Sequence, residues 1–264
     1  MNQVNKTLYI PLYGKAWVSR QGIILRDAKA EEIWQKVRFP LAGKAKSKWL
    51  AYFMAMRARV FDDWAREKLK ENPGILALHL GCGLDSRLLR LNAAAAQCQW
   101  YDVDFPAVIA ERKKHYTESE TCHMLAANLS EADGLDSLPK AEKLAVLLEG
   151  LSMYLETEQL IHLFLAIQKK CSKAYVLMDV YTELGAKASR LRNPANAVGV
   201  TRFHGVSGPD CLQINGGIRF AGEKSMTPRR LADQLKGFDK AFFSLLFAGK
   251  ASGKLYRLFE YEIG

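Results

Sequence analysis

No stretch of the 264-residue chain approaches the ~20 uninterrupted apolar residues that a membrane-crossing helix needs. The opening residues, MNQVNKTLYIPLYGKAW, lack the long apolar core of a secretory signal. Cysteines are few and scattered (Cys82, Cys98, Cys122, Cys171, Cys211), with no Cys-x-x-Cys pair and no zinc-like spacing. The histidines (His79, His115, His123, His162, His204) form no metal-ligating or triad-like group. These absences speak against a membrane protein, a disulfide scaffold and a structural zinc domain. A reduced cytoplasmic protein without structural metal is the expectation.

Charge is unevenly spread. The net charge is +10, but residues 1–72 carry +8, residues 73–181 carry −4 and residues 182–264 carry +6. A nucleic-acid binder usually gathers Lys and Arg into one stripe or run, and the nearest thing to a run is Lys44, Lys46, Lys48. A small-molecule partner is therefore expected rather than nucleic acid. Arg190, Arg192 and Arg202 lie where they could face a pocket and attract an anion, or could simply lie on the outer surface.

Within SKWLAYFMAMRARVFDDWAREKLKE, the residues Trp49, Phe53, Met56, Val60 and Trp64 recur at helical spacing, giving one apolar face. Arg57 shares that face, whereas Arg59 is rotated from it by about 200°. Asn72-Pro73-Gly74 ends the helix. Beyond it, short apolar runs alternate with helical segments. Strands are expected at 75–80, 98–103, 122–126, 144–148 and 174–180. Helices are expected over 85–96, from Phe105-Pro106, over 157–170 with Thr157 as cap, and over 227–237. Two apolar segments, 241–247 and 254–263, read as a closing antiparallel pair. The fold class is α/β, a doubly wound and mostly parallel sheet. The expected division is a helical cap at 1–72 and a Rossmann-like domain at 73–264, with an insertion at about 182–226.

Three signals carry chemistry. HLGCGLD (79–85) follows the first strand, and its glycines let backbone approach a ligand at a helix N-terminus. Cys82, Gly83 and Asp85 are candidates with Gly81. The third glycine of a dinucleotide fingerprint is missing, since Ser86 stands there, which turns the reading from a nicotinamide dinucleotide toward an adenosine ligand. Asp102 and Asp104 end the second strand near the ~20-residue spacing of a ribose-binding carboxylate. Glu149 ends a strongly apolar strand, where a buried carboxylate needs a partner and a cationic ligand would be one. His204 is the one histidine whose position in the glycine-rich stretch suits an acid or base.

MRARVFDDW (56–64), LGCGLDSRLLRL (80–91), WYDVDFPAVIAERK (100–113) and EGLSMYL (149–155) together resemble the leucine carboxyl methyltransferase family. That family also holds tetracenomycin-type polyketide O-methyltransferases and a tRNA-modifying branch. The resemblance implies a seven-stranded class I methyltransferase fold, S-adenosylmethionine as donor with S-adenosylhomocysteine as product, and transfer to oxygen, often of a carboxylate. Position by position it implies Arg57 at the methionine carboxylate, Gly81 in the loop, Asp104 at the ribose with Asp102 ranked second, and Glu149 as a further cofactor contact. Asn128-Leu129 fall near the adenine, where the family often has Asp-Leu, and Tyr154 falls near the substrate. A carboxylate acceptor is already ionised at neutral pH, whereas a phenol needs a base. No evident base favours the carboxylate. An RNA-directed methyltransferase and a non-catalytic adenosine-nucleoside-binding protein remain alternatives. A nicotinamide-dependent reductase is disfavoured by the missing glycine.

Overall fold

Asn72-Pro73-Gly74 separates two kinds of pattern, and in the computed structural model helices precede it and a sheet follows. The structure describes every residue except 1–5, 132, 199, 201, 215 and 249, and only the backbone of 191, 192, 197, 198, 250 and 251. Helices α1 (Tyr9–Arg20), α2 (Ala28–Val37) and α3 (Lys48–Glu71) come first. Asp27 caps α2 by accepting from the Ala30 backbone N–H at 2.8 Å. The apolar face expected on α3 is largely inward: Met56, Val60 and Trp64 are buried, while Trp49 and Phe53 are half-buried.

The strands are β1 (Leu76–Leu80), β2 (Trp100–Asp104), β3 (Cys122–Ala126), β4 (Ala141–Leu148), β5 (Cys171–Tyr181), β6 (Ile218–Lys224) and β7 (Tyr256–Ile263). They form one sheet in the order β3-β2-β1-β4-β5-β7-β6. β1 to β5 are mutually parallel, and β7 runs antiparallel to both β5 and β6. A parallel sheet must be covered on both faces, and the alternation along β4 shows how. Ala145 and Leu147 pack with Phe61 and Trp64 of α3. Leu144, Val146 and Leu148 pack with Phe164 and Ile167 of the helix on the other face, α6 (Thr157–Gln168).

The structure corrects several local expectations. Helix α4 is only Arg87–Leu91, and a 3-10 turn over Asn92–Ala95 replaces the rest of the expected 85–96 helix. Next comes α5 (Pro106–Arg112), with proline at its start as expected. The cap of α6 is Glu156 rather than Thr157. Glu156 and Gln159 form a reciprocal capping box, in which the Glu156 N–H donates to Gln159 Oε1 at 2.8 Å. The glycine-rich stretch carries α7 (Glu183–Arg192) and supplies β6. Helix α8 is a short Arg229–Ala232.

The segment 241–247 is not a strand. It belongs to α9 (Gly237–Leu246), and the antiparallel partners of β7 are β5 and β6. A short continuous apolar run fits a strand and a helix equally well; the i, i+4 pairs Phe238/Phe242 and Phe243/Phe247 decide for the helix. Phe243 is inward, against Tyr52 and Phe247, while Phe238 and Leu245 stay exposed. On a strand, Phe243 and Leu245 would share a face; on this helix they do not. Phe243→Ala should accordingly cost about 3–5 kcal/mol in thermal or urea unfolding. Leu245→Ala should change stability by less than about 0.5 kcal/mol. Equal losses would restore the strand.

Candidate active site

The carboxyl ends of β1, β2 and β4 open into a cavity of about 430 Å³, whose other walls come from α1, α3 and the segments that follow β5. That size is in the range of small-ligand sites, and the location is where open α/β sheets bind ligands.

The loop after β1 forms one wall. The backbone N–H groups of Gly81 and Cys82 both donate to the Val103 carbonyl, at 2.8 and 3.2 Å. Gly81 has φ +70°, and a Cβ there would stand 3.1 Å from Leu151, so only glycine fits without strain. Asp104 ends β2 and lines the cavity, with Oδ2 accepting from the Gly83 N–H and Oδ1 from the Phe105 N–H, both at 2.8 Å. Burial pushes its pKa up against those two bonds. Each carboxylate oxygen retains a further lone pair.

Asp102 does not line the cavity, which corrects its nomination as a ligand contact. It is buried, accepting from Arg112 Nη2 at 2.6 Å and Trp100 Nε1 at 2.9 Å, with His79 Nδ1 3.0 Å away. Arg112 Nη1 in turn donates to the carbonyls of Gly83 and Asp85, at 3.0 and 2.8 Å. Asp102 thus shapes the loop through Arg112 instead of reaching a ligand.

Asp85, Glu149 and Arg57 all face the cavity and are held in one buried ion network. Asp85 pairs with Lys15 at 2.9 Å, Arg90 at 2.6 Å and Arg87 at 3.0 Å. Glu149 pairs with Arg87 and, at 3.0 Å, with Arg57 Nε. Arg57 Nη1 donates to Asp179 Oδ2 at 2.7 Å and to the Tyr256 hydroxyl at 2.6 Å. Arg57 Nη2 has no hydrogen-bond partner among the described residues, and a Cβ on Gly150 would stand 3.3 Å from it. Arg59, on the other face, donates to Asp63 at 2.9 Å and lies outside the cavity.

Leu129 lines the cavity beside Ser130, but Asn128 does not. Its Oδ1 accepts from the Ser130 N–H and hydroxyl, and its Nδ2 donates to Glu131, so Asn128 caps a local turn. Tyr154 does line the cavity, and burial pushes its pKa up to about 12. It belongs to a wall of rings that runs Phe53–Tyr256–Tyr181–Phe203–Tyr154, with successive centroids 5.8, 4.7, 5.9 and 6.0 Å apart. The inward role considered for the arginines after β5 is not supported. Arg190 is exposed and Arg202 reaches Glu156 at 3.6 Å, while the side chain of Arg192 lies outside the described residues. His204 also lies outside the cavity lining.

Residues the motifs did not single out complete the site. Lys15 is 3% exposed and is the one charge within the otherwise apolar IPLYGKAWV segment, a signal legible in retrospect. Arg87 is fully buried, and Asp179 and Tyr256 come from β5 and β7, far apart in sequence. Polar groups able to hold a carboxylate and a ribose, an apolar Leu129 and the glycine loop thus share one cavity edged by an aromatic wall. These features fit an adenosine-bearing amino acid.

The sheet order is that of a methyltransferase-like α/β fold, and the family match identifies an S-adenosylmethionine-dependent methyltransferase. Leucine carboxyl methyltransferase sequences match residues 12–168, and the chain belongs to that family. It is 29% identical over 225 residues to the tetracenomycin polyketide synthesis O-methyltransferase TcmP of Streptomyces glaucescens, covering 84% of this chain and 83% of that one. It is 28% identical over 174 residues to the S-adenosyl-L-methionine-dependent methyltransferase dpfgK of Gibberella zeae, covering 60% and 58%. Among solved structures, a protein described as a methyltransferase from Thermobifida fusca YX has a similar fold. It has a TM-score of 0.61 at 13% identity, with 89% of this chain and 87% of that one covered. The magnesium protoporphyrin IX methyltransferase ChlM of Synechocystis PCC 6803, with bound S-adenosylhomocysteine, gives 0.51 at 12% identity over 88% and 93%. Among the described residues, no helix is long and apolar enough to cross a membrane.

The network makes a pH prediction. Burial alone would raise the Glu149 pKa, but Arg87 and Arg57 outweigh it and hold the carboxyl at about 2, below its ordinary 4.5. A depressed folded-state pKa gives stability that is present above the unfolded value and lost as pH falls through the folded one. Wild-type unfolding free energy should therefore lose on the order of 3 kcal/mol through Glu149 between about pH 5 and pH 2. Glu149→Gln should show a flatter decline over that window, whatever its stability at neutral pH. Parallel curves would refute the assignment.

Proposed function

We propose that the chain methylates an oxygen of a small acceptor whose body is apolar or aromatic and whose reacting group is a carboxylate. Bound S-adenosylmethionine supplies an electrophilic methyl on a sulfonium sulfur; the chain's own residues supply position and enclosure, which can contribute ~7–11 kcal/mol of barrier lowering.

The observation that carries the reading is the absence, among the described residues lining the cavity, of a group free to take a proton. Asp85 and Glu149 are paired with cations that hold their pKa values down, and Asp104, which receives two backbone N–H groups, is assigned below to the ribose. His79 is buried, with Nδ1 against Asp102 and Nε2 3.5 Å from Arg87 Nη1. Burial raises the pKa of Tyr154, Tyr181 and Tyr256, so these phenols keep their protons at neutral pH. A carboxylic acid, with a pKa near ~4, is already ionised and needs no base. The family's description, which names a carboxyl methyl transfer, points the same way.

Cofactor binding is assigned to Arg57 Nη2 for the methionine carboxylate, Asp104 for the ribose, Leu129 for the adenine and Glu149 for the cationic region, with the backbone of the 81–85 loop. Calorimetry should find S-adenosylhomocysteine bound and NAD not bound. Arg57→Gln should weaken that binding by about 10- to 100-fold, the worth of hydrogen bonds to a charged group. Arg59→Gln should leave it within about 3-fold, its ion pair being half-exposed. Equal effects of the two substitutions would overturn the assignment.

The acceptor class is tested with labelled S-adenosylmethionine and two probes of one shape, naphthoic acid and naphthol. Naphthoic acid should be methylated with a kcat/KM at least about 10-fold above that for naphthol at pH 7, because only the acid is ionised there. Preference for naphthol would reverse the reading. Bulk tRNA should stay unlabelled, and label in tRNA would turn it to an RNA-directed enzyme.

A further inference from the structure

Three tyrosines line the cavity, and their hydroxyl groups are held by different partners. The Tyr256 hydroxyl donates to Asp179 and accepts from Arg57 Nη1. Tyr154 is hydrogen-bonded to Thr7. Tyr181, the last residue of β5, is arranged differently. Its Oη accepts a hydrogen bond from Asn193 Nδ2 at 2.8 Å. The Asn193 amide can face only this way, because its Oδ1 accepts from the Ala195 backbone N–H at 2.8 Å and an NH2 there would oppose a donor. The Ser189 hydroxyl of α7 interacts with the same Tyr181 oxygen, and a serine hydroxyl is free to rotate into the donor sense. A phenol oxygen offers two lone pairs and one proton. Asn193 Nδ2 takes one lone pair, the Ser189 hydroxyl can rotate to donate to the other, and no other described residue is hydrogen-bonded to Tyr181. Burial holds its pKa up against those two bonds, so the proton stays on at neutral pH. The ring is fixed as well, between Tyr256 at 4.7 Å and Phe203 at 5.9 Å. A donor locked in this way loses little freedom when it meets a ligand.

Resting on the carboxylate reading above, we infer that Tyr181, oriented by Asn193, donates its hydroxyl proton in a hydrogen bond to the non-reacting oxygen of the acceptor carboxylate and thereby selects and aligns that acceptor. One carboxylate oxygen is held by Tyr181; the other keeps its lone pairs for the methyl group. A neutral donor suits this task better than a cation. It fixes the carboxylate without withdrawing as much charge from the oxygen that must attack. The aromatic wall takes the apolar body of the same molecule. The hydrogen-bond partners of Tyr181 come from α7 and the turn after it, in the glycine-rich stretch, so that stretch takes part in reading the acceptor.

Naphthoic acid binding to the full chain loaded with S-adenosylhomocysteine, followed by fluorescence, and its methylation with S-adenosylmethionine test this. Tyr181→Phe should weaken naphthoic acid binding and lower kcat/KM by about 10- to 100-fold, as expected for a hydrogen bond to a charged group. S-adenosylhomocysteine affinity should stay within about 2-fold in the same variant. Asn193→Ala should cause a smaller loss in the wild-type background and none in the Tyr181→Phe background, since it acts through Tyr181. Unchanged naphthoic acid binding in Tyr181→Phe, additive losses, or an equal fall in cofactor affinity would each overturn the role. If wild-type protein binds naphthol and not naphthoic acid, the carboxylate reading itself falls and this role with it. Naphthoic acid binding that ignores Tyr181→Phe would remove only the role of Tyr181.

Discussion

Burying charge inside a protein is unfavourable unless every charge has a partner, and this molecule places a whole row of them beneath its cavity. Lys15, Arg57, Arg87 and Arg90 alternate with Asp27, Asp62, Asp85, Glu149 and Asp179 across α1, α3, the loop after β1, and the ends of β4 and β5. Asp62 is fully buried and takes both Arg87 Nε at 2.9 Å and Arg90 Nε at 2.7 Å. Withdrawing a member leaves buried charge less well compensated, and breaking a buried pair costs about 3–5 kcal/mol. The network therefore fixes the helical segment against the sheet edge in one geometry. It also sets the cavity's character there, since what faces the ligand is whatever hydrogen-bonding capacity the pairs leave over. Arg57 Nη2 is such a remainder.

The other side of the cavity follows a different physical rule. Rings from α3, β5, β7 and the stretch after β5 stack and tilt against one another, leaving apolar faces and a few hydroxyls. Electrostatics select at one end and shape selects at the other. A donor molecule bearing charge and an acceptor bearing a flat apolar body can then occupy one site without competing for the same contacts.

Much of this was legible in the sequence, for reasons that differ by element. β1, β2 and β4 announce themselves as short apolar runs because a parallel strand is buried on both faces. The 81–85 loop is legible because glycine there is a conformational necessity, and Asp104 and Glu149 because a carboxylate closing an apolar strand asks for a partner. Segment 241–247 misled because AFFSLLF is apolar at every position but Ser244, which erases the periodicity that tells a helix from a strand. The ~20-residue spacing fits Asp102 and Asp104 alike, and only the folded chain separates them: Asp102 pairs with Arg112, ten residues on, while Asp104 lines the cavity. Asp179, Tyr181 and Tyr256 were out of reach for another reason. Their roles arise only when segments up to two hundred residues apart are brought together, and no local pattern encodes that.

The reversed direction of β7 has a kinetic meaning. β6 precedes β7 in sequence yet touches the sheet only through it, because β7 lies between β5 and β6. Until β7 arrives, the long and largely buried β5 presents a row of unpaired N–H and C=O groups, and β6 has no sheet to join. Such an edge is a template for pairing with other chains, and contacts this distant in sequence form slowly because their loop entropy must be lost first. β6 therefore cannot join the sheet before β7 does. The same step brings Tyr256, at the start of β7, to Asp179 near the end of β5. Covering the β5 edge and completing that side of the cavity are accordingly one event.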